Sequence, residues 1–169
     1  WSPFIDLLKT KRWWVVTMQL LVGAGLAGIA LTIPMPDFFR ITLAVFWLVA
    51  FSSATHDIAA DGFYMLALNV KDQALYVGIR STFYRIATIA GQGLLIMLAG
   101  GLEIWSGNIK YAWSITFFIL AGLFLAFSLY HKYILPAPGS DKSVVGQNNA
   151  SSIMEGFIET FASFFRKKQ

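Results

Sequence analysis

Four long apolar stretches, separated by short polar breaks, limit what this 169-residue chain can fold into. They lie at about residues 13–33, 38–68, 80–101 and 111–133. A run of about 20 apolar residues is enough for an α-helix to cross the hydrocarbon core of a bilayer. Only 13% of the residues are charged, whereas soluble domains carry about 25%. The sequence therefore predicts an all-α integral membrane protein, with four transmembrane helices in residues 1–135.

The C-terminal part of the chain has a different character. Pro34 follows the first span and Pro136 the fourth, and proline cannot continue a helical hydrogen-bond ladder. Beyond a linker, Ser152 to Glu155 matches a capping box, and phenylalanines recur on one side of about residues 153–166. Residues 136–169 are therefore predicted to be a cytoplasmic linker with an amphipathic helix suited to a membrane surface.

The positions of the basic residues predict the orientation in the membrane. The chain has a net charge of +4 and 13 Lys and Arg residues, which flank the apolar spans and form no stripe on a polar face. We therefore expect the lipid bilayer, and not nucleic acid, as a partner. All of these cations except Arg40 and Lys110 fall on one side, which the positive-inside rule assigns to the cytoplasm. Both ends of the chain are predicted to be cytoplasmic.

Neither a cofactor nor a metal ion is expected. The chain has no cysteine, which excludes disulfides and thiolate ligands, and no metal-ligand spacing appears. The glycines of the third span follow no predicted strand, so they do not form a dinucleotide-binding motif. The start at Trp1, without an initiator Met or a signal-peptide pattern, predicts a piece of a longer chain.

The second span contains three ionisable side chains, His56, Asp57 and Asp61, with apolar sequence on both sides. A charge near the bilayer centre costs about 2.5–3.5 kcal/mol on insertion scales, so such groups usually face a bundle interior or a wet cavity. Four polar side chains share one face of this helix: Ser53, Asp57, Asp61 and Tyr64. We call this stripe the acidic seam, and we expect it to face other protein rather than lipid.

The depth of the acidic seam has two possible values. At a rise of about 1.5 Å per residue, counting from Arg40 puts His56 about 24 Å into the membrane and Asp61 about 31 Å, at the far interface. Centring residues 41–68 in the bilayer instead puts His56 and Asp57 near the midplane. The sequence leaves both positions open.

The third span is predicted to begin between Tyr76 and Arg85, after a polar break at residues 69–73. Polar side chains then recur at spacings of four, three and four, which is one helical face: Ser81, Arg85, Thr88 and Gln92. Arg80 lies off that face. A second polar turn is predicted at residues 103–110, and the fourth span reads as apolar all round apart from small hydroxyls.

Three interpretations of these side chains remain. In the first, His56, Asp57, Asp61, Arg80 and Arg85 serve proton coupling or gating, while a polar solute passes along Ser53, Tyr64, Thr88 and Gln92. In the second, Asp57 and Asp61 pair with Arg80 or Arg85 only to hold a structural or sensory membrane module together. In the third, His56 and Asp61 match the H-x4-D pattern of membrane acyltransferases. A continuous helix would turn those two about 140° apart, which disfavours acyl transfer.

The residues from Ser53 to Gly62 (SATHDIAADG), followed by Tyr84-Arg85-Ile86, resemble the AmpG-like muropeptide permeases and the related acetyl-CoA transporters, a branch of the major facilitator superfamily. The lead from Pro3 to Trp14 is similar to the cytoplasmic loop between that superfamily's second and third helices. The resemblance covers Trp1 to about Pro136. Asp57, Asp61 and Arg85 match its motif positions, whereas His56 replaces an expected glutamine and Gly62 a common alanine.

The resemblance implies that the four spans are helices three to six of a transporter with twelve or more helices, from the N-terminal half of its bundle. It also implies proton symport of anhydro-muropeptides, for cell-wall recycling, across the bacterial inner membrane. The expected partners are then the remaining helices, a small polar solute and protons. A chain that lacks the second repeat is not expected to transport alone.

Overall fold

The computed structural model describes Ile5, residues 8–141 and six isolated positions between Glu155 and Arg166. Its elements are α1 Lys11–Thr32, α2 Phe38–Ala67, α3 Val70–Ile89, a π-helical turn Ala90–Leu94, α4 Leu95–Ser106 and α5 Ile109–Ile134. The amphipathic helix predicted at about residues 153–166 lies outside the described residues, apart from those isolated positions.

The described part of the chain is helical, and four of its helices are long and apolar enough to cross a membrane. They are α1, α2, α5 and the single 37-residue helix Val70–Ser106 that α3, the π turn and α4 form together. The 22 residues of α1 extend about 33 Å and the 30 residues of α2 about 45 Å, against a hydrocarbon core of about 30 Å. The prediction of an all-α chain with four apolar spans is confirmed.

Helix α1 lies between α2 and α5 and packs against both. Its core residues form one apolar cluster with α5: Val22, Leu26, Ile29, Ile33 and Ala121. Hydroxyl groups of α5 reinforce this contact, because Ser114 Oγ donates to the carbonyl of Ala30 at 2.5 Å and Ser128 Oγ to that of Val16 at 3.0 Å. Helix α1 is therefore the centre of the described bundle.

Glycines on α1 allow its two neighbours to approach closely. A Cβ added to Gly23 would lie 3.2 Å from the side chain of Leu125 on α5. One added to Gly25 would clash with Val49 on α2. Small residues of this kind let membrane helices pack backbone to backbone. The glycines of α1 thus lie on the surfaces by which it contacts α2 and α5.

The third helix begins earlier than the sequence predicted. It starts at Val70, so the polar residues expected to form a break lie in its cap and first turn. The Asn69 side chain caps the helix by accepting from the backbone N–H of Asp72 at 3.0 Å. Asp72 in the first turn is also favourable beside the positive end of the helix dipole. Polarity here marks the start of a helix, not a loop.

The second predicted polar turn is also shorter than expected. Helix α4 continues to Ser106, and Gly107, with φ of 66°, ends it in the left-handed conformation that glycine tolerates. Asn108 then caps α5 by accepting from the backbone N–H of Tyr111 at 3.1 Å. Nearby, Lys110 Nζ lies 4.9 Å from the ring centroid of Phe38, so the starts of α2 and α5 adjoin.

The opposite end of the bundle carries Lys11, Arg12, Lys132 and Asp141, and we call it the basic end. The Asp141 carboxylate accepts from the backbone N–H of Lys11 at 2.7 Å and of Arg12 at 3.0 Å, which caps α1 from 130 residues away. Arg12 Nη2 donates to the carbonyl of Lys132 at 2.6 Å. These bonds tie the segment after α5 to the first turn of α1.

Candidate functional site

The acidic seam lies on the side of α2 that faces away from α1. The residues that α2 buries are on its other face: Ser52, Thr55, Ala59 and Gly62. Ser53 is exposed, and the side chains of Asp57 and Asp61 are 76% and 58% accessible. The expectation that the whole seam faces protein does not hold for the described helices. Among the described residues, protein partly covers the seam where Asp61 and Tyr64 meet α3 and where Tyr64 lines a cavity with His131.

Three side chains join α2 to α3 in what we call the Asp61–Arg80–Tyr64 cluster. Arg80 Nη2 forms an ion pair with Asp61 Oδ1. The guanidinium carbon of Arg80 also lies 4.9 Å from the ring centroid of Tyr64, within cation–π range. The Tyr64 hydroxyl donates to the backbone carbonyl of Gln73, and the Gln73 amide donates to the carbonyl of Leu68 at 2.9 Å. An acid, a cation and a phenol thus meet at the turn between two apolar helices.

Of the two arginines expected as partners, Arg85 pairs with neither acid of the seam. Its side chain is exposed and forms no ion pair with any residue in the described ranges. Arg80 and Arg85 are five positions apart, about 140° around the helix, so only one of them can face Asp61. The acid–guanidinium pairing therefore involves Arg80, the arginine that lies off the polar face of the third span.

The packing of α1 against α2 shows where Asp61 lies relative to the first helix. Gly62 lies beside the first residue of α1, since a Cβ added to it would be 2.8 Å from Cδ of Lys11. Asp61 is therefore level with the start of α1, at the basic end. His56 lines a cavity with Val15, about one turn further into the bundle. Asp61 thus lies at the same end of the bundle as Lys11, and His56 lies further from that end.

The predicted solute-path residues of α3 lie apart from α2. Helix α3 buries no residue. The Thr88 hydroxyl donates to the carbonyl of Tyr84 in its own helix at 2.9 Å. Gln92 lies in the π-helical turn, between Gly91 and Gly93. Among the described residues, neither Thr88 nor Gln92 hydrogen-bonds to another helix. The extra residue of a π turn shifts the helical register, and such turns are frequent at functional sites.

A second polar group lies between α1, α2 and α5, near the basic end. His131 Nδ1 of α5 is 2.8 Å from Gln19 Oε1 of α1. His56 Nε2 is shielded from solvent and has no hydrogen-bond partner among the described residues, while its Nδ1 is 3.5 Å from an Asp57 oxygen, at the limit for a hydrogen bond. Both histidines and Tyr64 line a cavity of 400 Å³, which we call the histidine cavity.

Sequence reasoning missed His131, because the fourth span read as apolar apart from hydroxyls. The sequence nevertheless contained a signal for a polar partner in this span. Gln19 is the strongly polar side chain of the first span, and a buried amide needs a hydrogen-bond partner. His131 lies near the C-terminal end of its span and Gln19 towards the N-terminal end of its own, so antiparallel helices bring them to similar depths. Within the described residues, no group of three acidic or histidine side chains could hold a metal ion.

The exposed surface of the bundle is apolar over much of its area. Large side chains such as Trp47, Phe83, Ile89 and Ile104 are 65–89% exposed. In water such a surface would promote association, whereas acyl chains and further helices are its natural surroundings. Four apolar helices, this surface and cations gathered at the basic end define a helical membrane protein.

Two curated proteins match the chain. The anhydromuropeptide permeases of Escherichia coli strain K12 and of Escherichia coli O157:H7 are each 25% identical to it over 130 residues. The match covers 74% of this chain and 25% of each permease, so the chain spans about a quarter of the length of the relatives it matches. No protein-family model matches the chain, and no solved structure matches it significantly. The chain is thus distantly similar to part of a transport protein.

Proposed function

We propose that this chain is part of a secondary active transporter that imports a polar solute, such as an anhydro-muropeptide, together with protons. The observation that carries the proposal is the similarity to two anhydromuropeptide permeases over 130 residues. The site geometry supports it, because ionisable side chains line one side of an apolar helix and reach a second helix. The membrane is the bacterial inner membrane, both ends of the chain are cytoplasmic, and the remaining helices belong to the same bundle of the major facilitator type.

The Asp61–Arg80–Tyr64 cluster acts in this proposal as a gate at the basic end. With Asp61 ionised, its attraction for Arg80 holds α3 against α2. When Asp61 takes up a proton, the attraction is lost and α3 can move relative to α2. The ring of Tyr64 adds a second contact between Arg80 and α2 in the closed arrangement. Asp57 and His56, about one turn away, are the groups through which a proton could reach or leave Asp61.

The strength of the ion pair suits a switch. Both side chains are more than half exposed in the described helices, and exposed pairs contribute about 0–1 kcal/mol. A difference of about 1 kcal/mol changes the ratio of two conformations about fivefold. Protonation therefore shifts the balance between open and closed arrangements without needing to disrupt a buried core.

The solute path lies on the exposed side of the long helix. Ser53 on α2 and Thr88 and Gln92 on the Val70–Ser106 helix present polar groups there, and Arg85 adds a cation that could bind an anionic part of the solute. The π turn at Ala90–Leu94, with glycines on both sides of Gln92, gives the helix a point at which it can bend.

Proton-dependent uptake by the full-length protein tests the proposal. Asp61→Asn removes the ionisable group at nearly constant volume, and Arg80→Gln removes its partner, so each variant should lose most of the dependence of uptake on the proton gradient. The matched controls are Asp37→Asn, at the other end of α2 with no side-chain capping bond, and Lys71→Gln, in the first turn of α3; both should retain coupling. Unchanged coupling in Asp61→Asn would refute the gate.

The bonds of Tyr64 and Gln73 favour one alternative, in which the charges only clamp a structural or sensory module. That alternative predicts that Asp57→Asn or Asp61→Asn lowers stability in detergent while uptake by the full-length protein survives. The acyltransferase hypothesis required a break in the helix at His56. Helix α2 is continuous from Phe38 to Ala67, so His56 and Asp61 cannot form that pair.

A further inference from the structure

A groove of 540 Å³ lies between α1 and α5 at the basic end, on the surface of the bundle away from the acidic seam. Arg12 and Lys132 stand at its mouth, and Val16, Leu20 and Leu129 form its walls. Trp13, which is 44% exposed, lies beside the two cations. The groove shares no lining residue with the histidine cavity or with the Asp61–Arg80–Tyr64 cluster.

The mouth of the groove is cationic. Arg12 Nη2 donates to the carbonyl of Lys132, which fixes the guanidinium at the end of α5. Arg12 Nε is shielded from solvent and has no hydrogen-bond partner in the described part of the chain, so the positive charge of the guanidinium is not neutralised there. The acid at this end, Asp141, directs its oxygens to the backbone N–H groups of Lys11 and Arg12. Two side-chain cations, Arg12 and Lys132, therefore line the groove. The nearby carboxylate of Asp141 accepts from backbone N–H groups and forms no ion pair with either of them.

The interior of the groove is apolar and runs along the helix axis. Arg12 and Leu20 are eight residues apart, which is about 12 Å of helix. An aromatic ring beside cations at a helix end is typical of the level of lipid headgroups. A ligand that fits has an anionic head about the size of a phosphate and an aliphatic tail that continues into the membrane. A free phosphate would leave the apolar walls unused, and a zwitterionic lipid would repel one of the two cations through its own positive group.

We propose that this groove binds one anionic phospholipid, with its phosphate at Arg12 and Lys132 and an acyl chain against Val16, Leu20 and Leu129. Basic pockets between transmembrane helices on the cytoplasmic side are known to hold anionic headgroups. A lipid in this position bridges the start of α1 and the end of α5, the same two elements that the Arg12 bond already joins. It therefore stabilises the central helix pair of the bundle.

Lipid retention by the purified full-length protein tests the proposal. The protein is placed in phosphatidylcholine nanodiscs that contain a small fraction of phosphatidylglycerol, and retained phosphatidylglycerol is counted by native mass spectrometry. Near a membrane surface each cation contributes about fivefold to anionic-lipid affinity. Lys132→Gln should lower retention about fivefold. Lys71→Gln, an equivalent loss of charge at the start of α3, should not change it.

A second pair of variants tests the groove walls without changing any charge. Leu129→Trp fills the groove from an exposed position on α5 and should displace the lipid, whereas Leu123→Trp, on the same helix at similar exposure but outside the groove, should not. Equal losses in Lys132→Gln and Lys71→Gln would reduce the effect to general surface charge and overturn the site. Retention of phosphatidylcholine to the same extent, or equally tight binding of glycerol phosphate without acyl chains, would overturn it as well.

Discussion

Replacing Gly25 with alanine is expected to destabilise the protein, although the same change in an open helix stabilises it. The added Cβ points at Cγ2 of Val49 on α2, with Cβ of Val49 only 3.8 Å away. Valine on a helix has one strongly preferred side-chain rotamer, so Val49 cannot turn aside without strain. Overpacking costs about 1–3 kcal/mol and the better helix propensity of alanine returns about 0.5–1 kcal/mol. The expected net loss of unfolding free energy is about 0–2.5 kcal/mol.

The control for this change is Gly122→Ala on α5, where nothing lies within 4 Å of the added Cβ. That variant should gain about 0.5–1 kcal/mol. The two variants should therefore differ by about 1–3 kcal/mol in sodium dodecyl sulfate titrations of the protein in dodecyl maltoside micelles. Adding Val49→Ala to Gly25→Ala should recover part of the loss, because it provides the missing space. If Gly25→Ala is as stable as Gly122→Ala, α1 and α2 are not in close contact at this point.

The same unfolding assay checks three further predictions. Ser114→Ala removes the bond to the Ala30 carbonyl and should cost about 0.6 kcal/mol, more than Thr116→Val, whose hydroxyl bonds within its own helix. Asp141→Ala removes the distant cap of α1 and should cost about 0.5–2 kcal/mol; an unchanged midpoint would show that the contact is not formed. Gln19→Leu or His131→Phe alone should cost about 1–3 kcal/mol by leaving one buried polar group unpaired, whereas the double variant should be less destabilised than the two losses added together.

Hydropathy predicted the number and class of the helices but misplaced two of their boundaries. Asn69 and Asp72 lower the local hydropathy, yet they are the cap and first turn of α3. Capping residues are polar because they satisfy backbone donors at a helix start, so a polar stretch between spans does not by itself predict a loop. At the other break, Gly107 alone ends α4 and Asn108 begins α5. The helix boundaries could therefore be predicted from the capping residues in the breaks, but not from the hydropathy average.

The acidic side of the candidate site could be found from sequence, because carboxylates are rare in apolar spans. The sequence could not decide which arginine, Arg80 or Arg85, is its cationic partner. Helical periodicity groups side chains onto faces but does not say which face meets the preceding helix. The short connection between Ala67 and Val70 fixes how α3 is rotated about its own axis. In that rotation Arg80, and not Arg85, faces Asp61. The level of Asp61 relative to α1 likewise depends on a tertiary contact, the packing of Gly62 against Lys11.

Thiol cross-linking between α2 and α3 tests the proposed gate most directly. This chain has no cysteine, so Asp61→Cys with Arg80→Cys can be introduced on a full-length background freed of any other cysteine. A reducible bifunctional thiol reagent, which replaces the reach of the arginine side chain, should cross-link this pair readily, while Asp61→Cys with Arg85→Cys should not. Uptake down the solute's own concentration gradient, which does not need proton coupling, should stop in the cross-linked protein and return on reduction. Cross-linking at position 85 in place of position 80, or full uptake with the 61–80 cross-link intact, would contradict a gate between these helices.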